Sequence, residues 1–241
     1  MKAMVLAAGL GTRLRPLTDN RPKALVELGG RTLLEITLTR LHSFGIREVI
    51  VNVHHFADLI IDYLRANSGF GLQVEISRED VLLDTGGGLK KAGWFFANSP
   101  EPFVLHNVDV VTNIDLRPMI QQHSRSGALA TLAVMQRETS RYLLFDQDGN
   151  LCGRRQRDAS ELVRECPQPE PLAFCGIHII SPRLLPMLGE NGPFSIVDAY
   201  LRLAAQGEKI QPFRCDQYYW RDLGRIESVQ QAEQDLHQNI F

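Results

Sequence analysis

The stretch V-L-A-A-G-L-G-T-R-L-R-P-L-T-D-N-R-P-K-A-L-V, from Val5 to Val26, decides how the chain is read. An apolar run from Met4 to Leu6 ends in Ala7-Ala8. Gly9 and Gly11 then force a turn, and Thr12 to Leu17 reads as a short helical stretch. Strand, glycine loop and helix start together expose consecutive backbone N–H groups, which suits an anion. Arg13 and Arg15 add positive charge, and Pro22 keeps Arg21 extended so that Lys23 returns toward the loop. A triphosphate is the expected guest.

The spacing excludes two common glycine loops. No Gly-Lys-Ser/Thr follows, so this is not a Walker A loop. No third glycine follows Gly9 and Gly11, so the dinucleotide fingerprint is absent. An NAD-binding reading also needs an acidic residue at a second strand end, and Glu27 precedes Gly29-Gly30 instead.

Working outward, helical and strand periodicities alternate. Thr32 to Phe44 is an amphipathic helix closed by Gly45. Ile46 to Val53 is a buried strand, with His54 and His55 at its carboxyl end. Neighbouring strand residues point to opposite faces, so this pair reads as a polar strand terminus rather than a metal site. Ala57 to Asn67 is a second helix and Leu72 to Ile76 a third strand. After a loop, Thr85-Gly86-Gly87-Gly88 opens a helix through Phe96, with Thr85 as its N-cap. Phe103 to His106 is a strand that carries Asn107-Val108-Asp109 over the same rim as the glycine loop.

Asp115 to Gly127 is expected to be a helix broken near Pro118, and Ala128 to Met135 a strand. The texture changes at Arg141: Y-L-L-F-D-Q-D-G-N-L reads as a hairpin turning at Asp148-Gly149. Residues 141–173 form the expected β-rich lid. Its Arg154, Arg155 and Arg157 either reach an acidic substrate or lie on a solvated face. Ala173 to Ser181 returns to strand. Pro182 to Leu188 and Ser195 to Ala205 are helices, the second capped by Ser195. Ile210 to Phe213 leads to Y-Y-W-R-D-L-G, and Arg225 to Leu236 is the last helix.

The whole predicts an α/β fold: a Rossmann-like three-layer αβα arrangement with a mixed, mostly parallel central sheet. Residues 1–241 make one domain with the small β-rich lid inserted. Charged residues are 22% and hydrophobic ones 44%, ordinary for a globular protein. The net charge of −2 gives no general attraction to nucleic acid. Cys152, Cys166, Cys175 and Cys215 form no C-x-x-C pair and read as free thiols of a reducing cytoplasm. No apolar run reaches the length of a membrane span.

Five segments in order carry a resemblance: G-L-G-T-R-L-R-P-L-T with R-P-K-A-L, D-T-G-G-G, N-V-D, F-C-G-I and W-R-D-L-G. Together they resemble the sugar-1-phosphate nucleotidylyltransferases over nearly the whole chain. The resemblance implies that NTP and sugar 1-phosphate give NDP-sugar and pyrophosphate, with Mg²⁺ as cofactor. It implies a nucleotide site at Ala7, Ala8, Gly9, Gly11, Thr12, Arg13, Lys23, Gly86 and Gly87. A sugar site is implied at Asp84, Thr85, Asn107, Phe174 and Gly176. Arg13, Lys23, Asp109 and Asp222 are the implied catalytic residues, Asp109 and Asp222 being the metal ligands. The chain departs from W-x-D-x-G-T by carrying Arg225 in place of Thr.

The Glu-Lys-Pro segment of the glucose-1-phosphate enzymes is absent, as is any hexapeptide repeat, so no C-terminal acyltransferase domain is expected. The short form with D-T-G-G-G is most similar to the N-acetylmuramate-1-phosphate uridylyltransferases of cell-wall recycling. The mannose- or heptose-1-phosphate guanylyltransferases are the alternative. A non-catalytic sensor of nucleotide sugars would be expected to lose a metal aspartate or the loop arginine, and both are kept. No nucleic acid or membrane partner is expected, and the chain is expected to be a monomer or homodimer.

Overall fold

The computed structural model describes residues 1–238 and Ile240. Its first strand, β1 (Lys2–Leu6), has Ala3, Met4 and Val5 wholly buried, which requires cover on both faces of the sheet. Successive side chains point to opposite sides. Ala3 and Val5 pack with Leu34, Leu38, Ile60 and Leu64, while Met4 packs with Leu89, Phe96, Leu203 and Ala204. That split makes three layers.

The remaining elements follow in order. A small hairpin of β2 (Glu27–Leu28) and β3 (Arg31–Thr32) leads to α1 (Leu33–Ser43), β4 (Glu48–Val53) and α2 (Ala57–Ala66). Then come β5 (Gln73–Arg78), α3 (Asp84–Lys91), β6 (Phe103–Asn107), β7 (Val110–Thr112), α4 (Leu116–Ser126) and β8 (Ala130–Met135). Three strands follow, β9 (Arg141–Phe145), β10 (Leu151–Gln156) and β11 (Ala159–Leu162), before the long β12 (Glu170–Ile180). The chain closes with α5 (Ile196–Ala205), β13 (Ile210–Arg214), β14 (Trp220–Asp222) and α6 (Ile226–His237).

The main sheet runs β11-β10-β9-β12-β6-β1-β4-β5, with β8 pairing β12 and β13. The β6-β1-β4-β5 half is parallel, and β12 joins it antiparallel to β6. This is the expected mixed, mostly parallel sheet between helices. The first half of β12 pairs with β9, so the β9–β11 arm continues the sheet at the end where β12 leaves β6. β14 pairs with β7 in a separate two-stranded ribbon.

Several local expectations are corrected. Thr12 to Leu17 is not a helix: one 3₁₀ turn spans Thr12–Leu14, followed by single turns closed by Leu17 and Asp19 N–H groups. Pro16 has no N–H for a continuing helix. The helix at residues 115–127 is not broken at Pro118, which sits in the first turn of α4, where no N–H is needed; Asp115 caps it. The helix expected through Phe96 ends at Lys91, with a 3₁₀ turn at Gly93–Phe95. Pro182–Met187 is a 3₁₀ helix with Pro186 inside it. Ser195 caps α5 as expected, its side chain accepting from Val197 N.

Candidate active site

Four parallel strand ends and the loops beyond them enclose a cleft of about 610 Å³. The loop after β1 forms one wall. The β1–β4 register sets Leu6 against Asn52, and the Asn52 side chain accepts the Ala7 N–H at 2.7 Å. Beyond that anchor, the N–H groups of Ala8, Gly9, Leu10 and Gly11 make no hydrogen bond among the described residues. Gly11 has φ of +66°, and a Cβ there would press to 3.1 Å from Thr18 and 3.2 Å from Lys23. Thr18 Oγ1 donates to the Gly11 carbonyl at 2.9 Å and fixes the turn. The wall is therefore a row of free amides, without an α-helix behind it.

Charged groups gather below the amides. Lys23 is buried in a 3₁₀ turn that follows Pro22, and its Nζ donates to Asp109 Oδ2. Asp109 stands just beyond β6, and Asp222 at the end of β14. Gly224 N–H donates to Asp222 Oδ1 at 2.6 Å. A Cβ on Gly224 would meet Asp222 Oδ1 at 2.5 Å and Arg13 Nη2 at 2.9 Å, so Arg13 and Asp222 flank this glycine. The Asp222 carboxyl is raised above the usual range, first by the protein crowded around it and then by the charge of Asp109. Lys23, the Gly224 N–H and Arg13 oppose that rise.

Two carboxylates close enough for the charge of one to act on the other fit a hard divalent cation, which takes few protein ligands and fills its shell with phosphate oxygens and water. Among the described residues no cluster of three or more His, Cys, Asp or Glu side chains forms. His54 Nδ1 lies 2.8 Å from the Glu79 carbonyl, and His55 packs against the Phe56 ring, so this pair does not converge.

The cleft gathers Ala7, Ala8, Gly9, Gly11, Thr12, Arg13, Lys23, Asp84, Thr85, Asn107 and Asp109 on its lining. Thr85 does not cap its own helix. Its Oγ1 accepts from Ile196 N at 3.0 Å, tying α3 to the start of α5, while Asp84 has φ of +59° and precedes it. Gly86 and Gly87 lie off the lining. Both donate to the Phe194 carbonyl, at 2.9 and 3.3 Å, and a Cβ on Gly86 would strike the Phe194 ring. These glycines allow protein packing at this face, and their amides are already committed. Gly176 also lies off the lining, with φ of +75°; a Cβ there would sit 2.9 Å from Asn107 Nδ2. It lets β12 close behind Asn107. Phe174 sits edge-on to His178 farther along β12.

The lid arginines do not reach the cleft lining. Arg154 donates to Glu161 at 2.8 Å and to Asp198 at 2.5 Å, and Arg155 lies over the Tyr142 ring. Three residues escaped the sequence reading. Asn52 holds Ala7 with one side-chain atom and donates to Glu79 Oε1 at 2.7 Å with the other. Buried Glu79 accepts from Leu83 N at 2.9 Å, linking the glycine loop to the entrance of α3. Asn52 interrupts an apolar strand, a signal that was available; Glu79 gave none. The third, Arg137, lies over the Trp220 ring.

Comparison with known proteins gives the family. A family model described as Nucleotidyl transferase matches residues 2–239. The N-acetylmuramate alpha-1-phosphate uridylyltransferase of Caulobacter vibrioides is 38% identical over 218 residues, covering 85% of this chain and 85% of that protein. The catalytic subunit beta of mannose-1-phosphate guanylyltransferase from Drosophila pseudoobscura pseudoobscura is 30% identical over 231 residues, covering 93% of this chain and 59% of that protein. Among solved structures, HddC from Yersinia pseudotuberculosis superposes with a TM-score of 0.79 at 22% identity, covering 98% of this chain and 99% of that one. That last likeness speaks for the fold alone. With the family model spanning nearly all of it, the chain belongs to the nucleotidyl transferase family and is a sugar-1-phosphate nucleotidyltransferase.

Proposed function

We propose that the chain transfers the uridylyl group of UTP to N-acetylmuramate 1-phosphate. A phosphate oxygen of the sugar 1-phosphate attacks the α-phosphorus; the bond from that phosphorus to the β-phosphate oxygen breaks; UDP-N-acetylmuramate and pyrophosphate leave. No protein nucleophile is required, so the residues position groups and balance charge.

The observation that carries this reading is the convergence of four free amides, Arg13, Lys23 and Asp109 on one cleft, with Asp222 just off its lining beside Gly224. The amides from Ala8 to Gly11 bind the triphosphate. Arg13, beside Gly224, takes up charge that develops on the departing pyrophosphate. Lys23 steadies the α-phosphate or the incoming phosphate, and Asp109 holds its ammonium in place. Asp109 and Asp222 would hold Mg²⁺, which when bound draws phosphate oxygens together and offsets their charge. Asp84, Thr85 and Asn107 border the sugar side of the same cleft.

The uridylyl pair is favoured by the Caulobacter vibrioides relative, which matches most of both chains. GTP with mannose or heptose 1-phosphate is the second reading, favoured by the Drosophila relative, of which the chain spans about three fifths. A sensor without turnover is disfavoured by the retention of Arg13, Lys23, Asp109 and Asp222. On this reading the enzyme is cytoplasmic, a monomer or homodimer, and serves cell-wall recycling. No described helix is long and apolar enough to cross a membrane.

The test is a matrix of NTPs against sugar 1-phosphates, read by pyrophosphate release. UTP with N-acetylmuramate 1-phosphate is expected to give the highest kcat/KM. A tenfold advantage for a guanylyl pair, about 1.4 kcal/mol of transition-state discrimination, rejects the uridylyl assignment and leaves the transfer chemistry standing.

A further inference from the structure

N-acetylmuramate differs from N-acetylglucosamine by an ether-linked lactyl group that ends in a carboxylate. A site selective for it needs a cation close to the reacting phosphate. Arg154 of the β9–β11 arm is held by Glu161 and Asp198, and Arg155 lies over the Tyr142 ring within the arm itself.

Arg137, two residues beyond β8, is different. It has no carboxylate partner among the described residues, though half-buried. Its guanidinium lies 4.2 Å from the centroid of the Trp220 ring, and its Nη2 donates to the Phe174 carbonyl at 3.2 Å. Its Nε is buried without a hydrogen-bond partner. Buried donors are seldom left unmet, because the loss of water is uncompensated.

The position points back to the cleft. Trp220 and Asp222 alternate with Arg221 along β14, so both side chains project to one face, about 7 Å apart. Arg137 is stacked on that face. Trp220 Nε1 also donates to the Cys175 carbonyl at 2.7 Å, and the next residue, Gly176, packs against Asn107 on the cleft lining. The guanidinium is therefore tied through Trp220, Cys175 and Gly176 to Asn107 on the cleft lining, while lying off that lining itself.

We propose that Arg137 is a specificity-determining residue that binds the carboxylate carried by the sugar ring of the sugar 1-phosphate. The inference rests on the N-acetylmuramate reading above. Its planar fork matches a carboxylate, and stacking on Trp220 holds the plane fixed before substrate arrives.

The experiment measures kcat/KM, with UTP held constant, for N-acetylmuramate 1-phosphate and N-acetylglucosamine 1-phosphate. Wild type, Arg137→Gln and Arg137→Lys are compared, with thermal melting as a check on folding. Arg137→Gln is expected to lower the value for the carboxylated sugar by roughly 30- to 100-fold, while the neutral sugar changes less than about threefold. Arg137→Lys is expected to fall between. An equal drop for both sugars makes Arg137 a phosphate contact or a packing residue and overturns the proposal. An unchanged ratio in a folded variant overturns it as well. If Arg137→Gln does not fold, the ratio in Arg137→Lys decides in the same way. A wild type without preference for the carboxylated sugar overturns the substrate reading together with this proposal, whereas a preference that survives in the variants overturns the proposal alone.

Discussion

Lys23 Nζ donates to Asp109 Oδ2 on the floor of the cleft, joining the segment after the glycine loop to the end of β6. Their side chains are 10% and 18% exposed, so each charge depends on the other for compensation. Such partners act as a unit. Lys23→Ala and Asp109→Ala are each expected to reduce turnover by roughly two to three powers of ten, the scale of losing one charge-stabilising group. The double variant is expected to match the worse single rather than the product of the two. Steady-state kinetics of the three variants checks this. Multiplicative losses show two independent roles.

Asp222 supplies a test of the metal reading that does not require turnover. The charge of Asp109 adds to the cost of ionising Asp222, which a bound divalent cation relieves. Mg²⁺ is expected to raise the melting temperature of the wild type in proportion to occupancy, and to do so weakly or not at all in Asp222→Ala. Removal of the metal with EDTA is expected to abolish most turnover. Full activity in EDTA rejects the Mg²⁺ assignment.

Much of this was legible because the signals are local. The apolar run, Gly9, Gly11 and Lys23 lie within one short stretch, and the three layers follow from alternating helical and strand periods. What was not legible depends on pairing between distant segments. Asn52 reaches Ala7 only because β4 lies beside β1 in a register that matches Leu6 with Asn52. Gly86 and Gly87 look open in sequence, but the 192–194 loop covers them. Arg154 looks available, but Asp198 from α5 holds it. The helix expected after the loop failed for a local reason that Pro16 already carried. A propensity reading of residues 12–17 gave that missing N–H too little weight.

Buried histidines are expected to make the fold sensitive to acid. Burial pushes His178 down to about 3 and His123 down to about 4, with the charges of His106 and Arg183 contributing respectively. Both are neutral when folded, and His178 shares a hydrogen bond with the Tyr200 hydroxyl at 2.9 Å. Unfolded histidine takes up its proton near pH 6.5. The folded values are depressed, so the stability is whole above about pH 6.5. It falls as pH drops toward the folded values, by about 1.4 kcal/mol per pH unit for each histidine. Chemical denaturation at pH 7.5 and pH 5 is expected to show a smaller difference in His123→Asn than in wild type. An identical difference assigns acid sensitivity to the carboxylates instead.

Asn52 and Glu79 hold the two sides of the nucleotide cleft in fixed relation. Asn52 accepts from Ala7 N–H at 2.7 Å and donates to Glu79 at 2.7 Å, and Glu79 accepts from Leu83 N–H at 2.9 Å. The pair is buried, and Gly88 is required beside it, since a Cβ there would stand 2.8 Å from both side chains. Asn52→Ala leaves the Ala7 donor and a Glu79 oxygen unmet, at a cost of about 1–3 kcal/mol in stability. It also frees the loop that presents the amides, so the KM for nucleotide is expected to rise by an order of magnitude or more. Glu79→Gln has one oxygen for these two donors, so when it accepts from Asn52 its amine is left facing Leu83 N–H. Its effect is expected to be the milder of the two. Equilibrium unfolding and nucleotide KM, measured on the same preparations, separate the roles. A loss of stability with unchanged KM makes the pair a structural tie only, whereas both changing together makes it the element that positions the phosphate-binding loop.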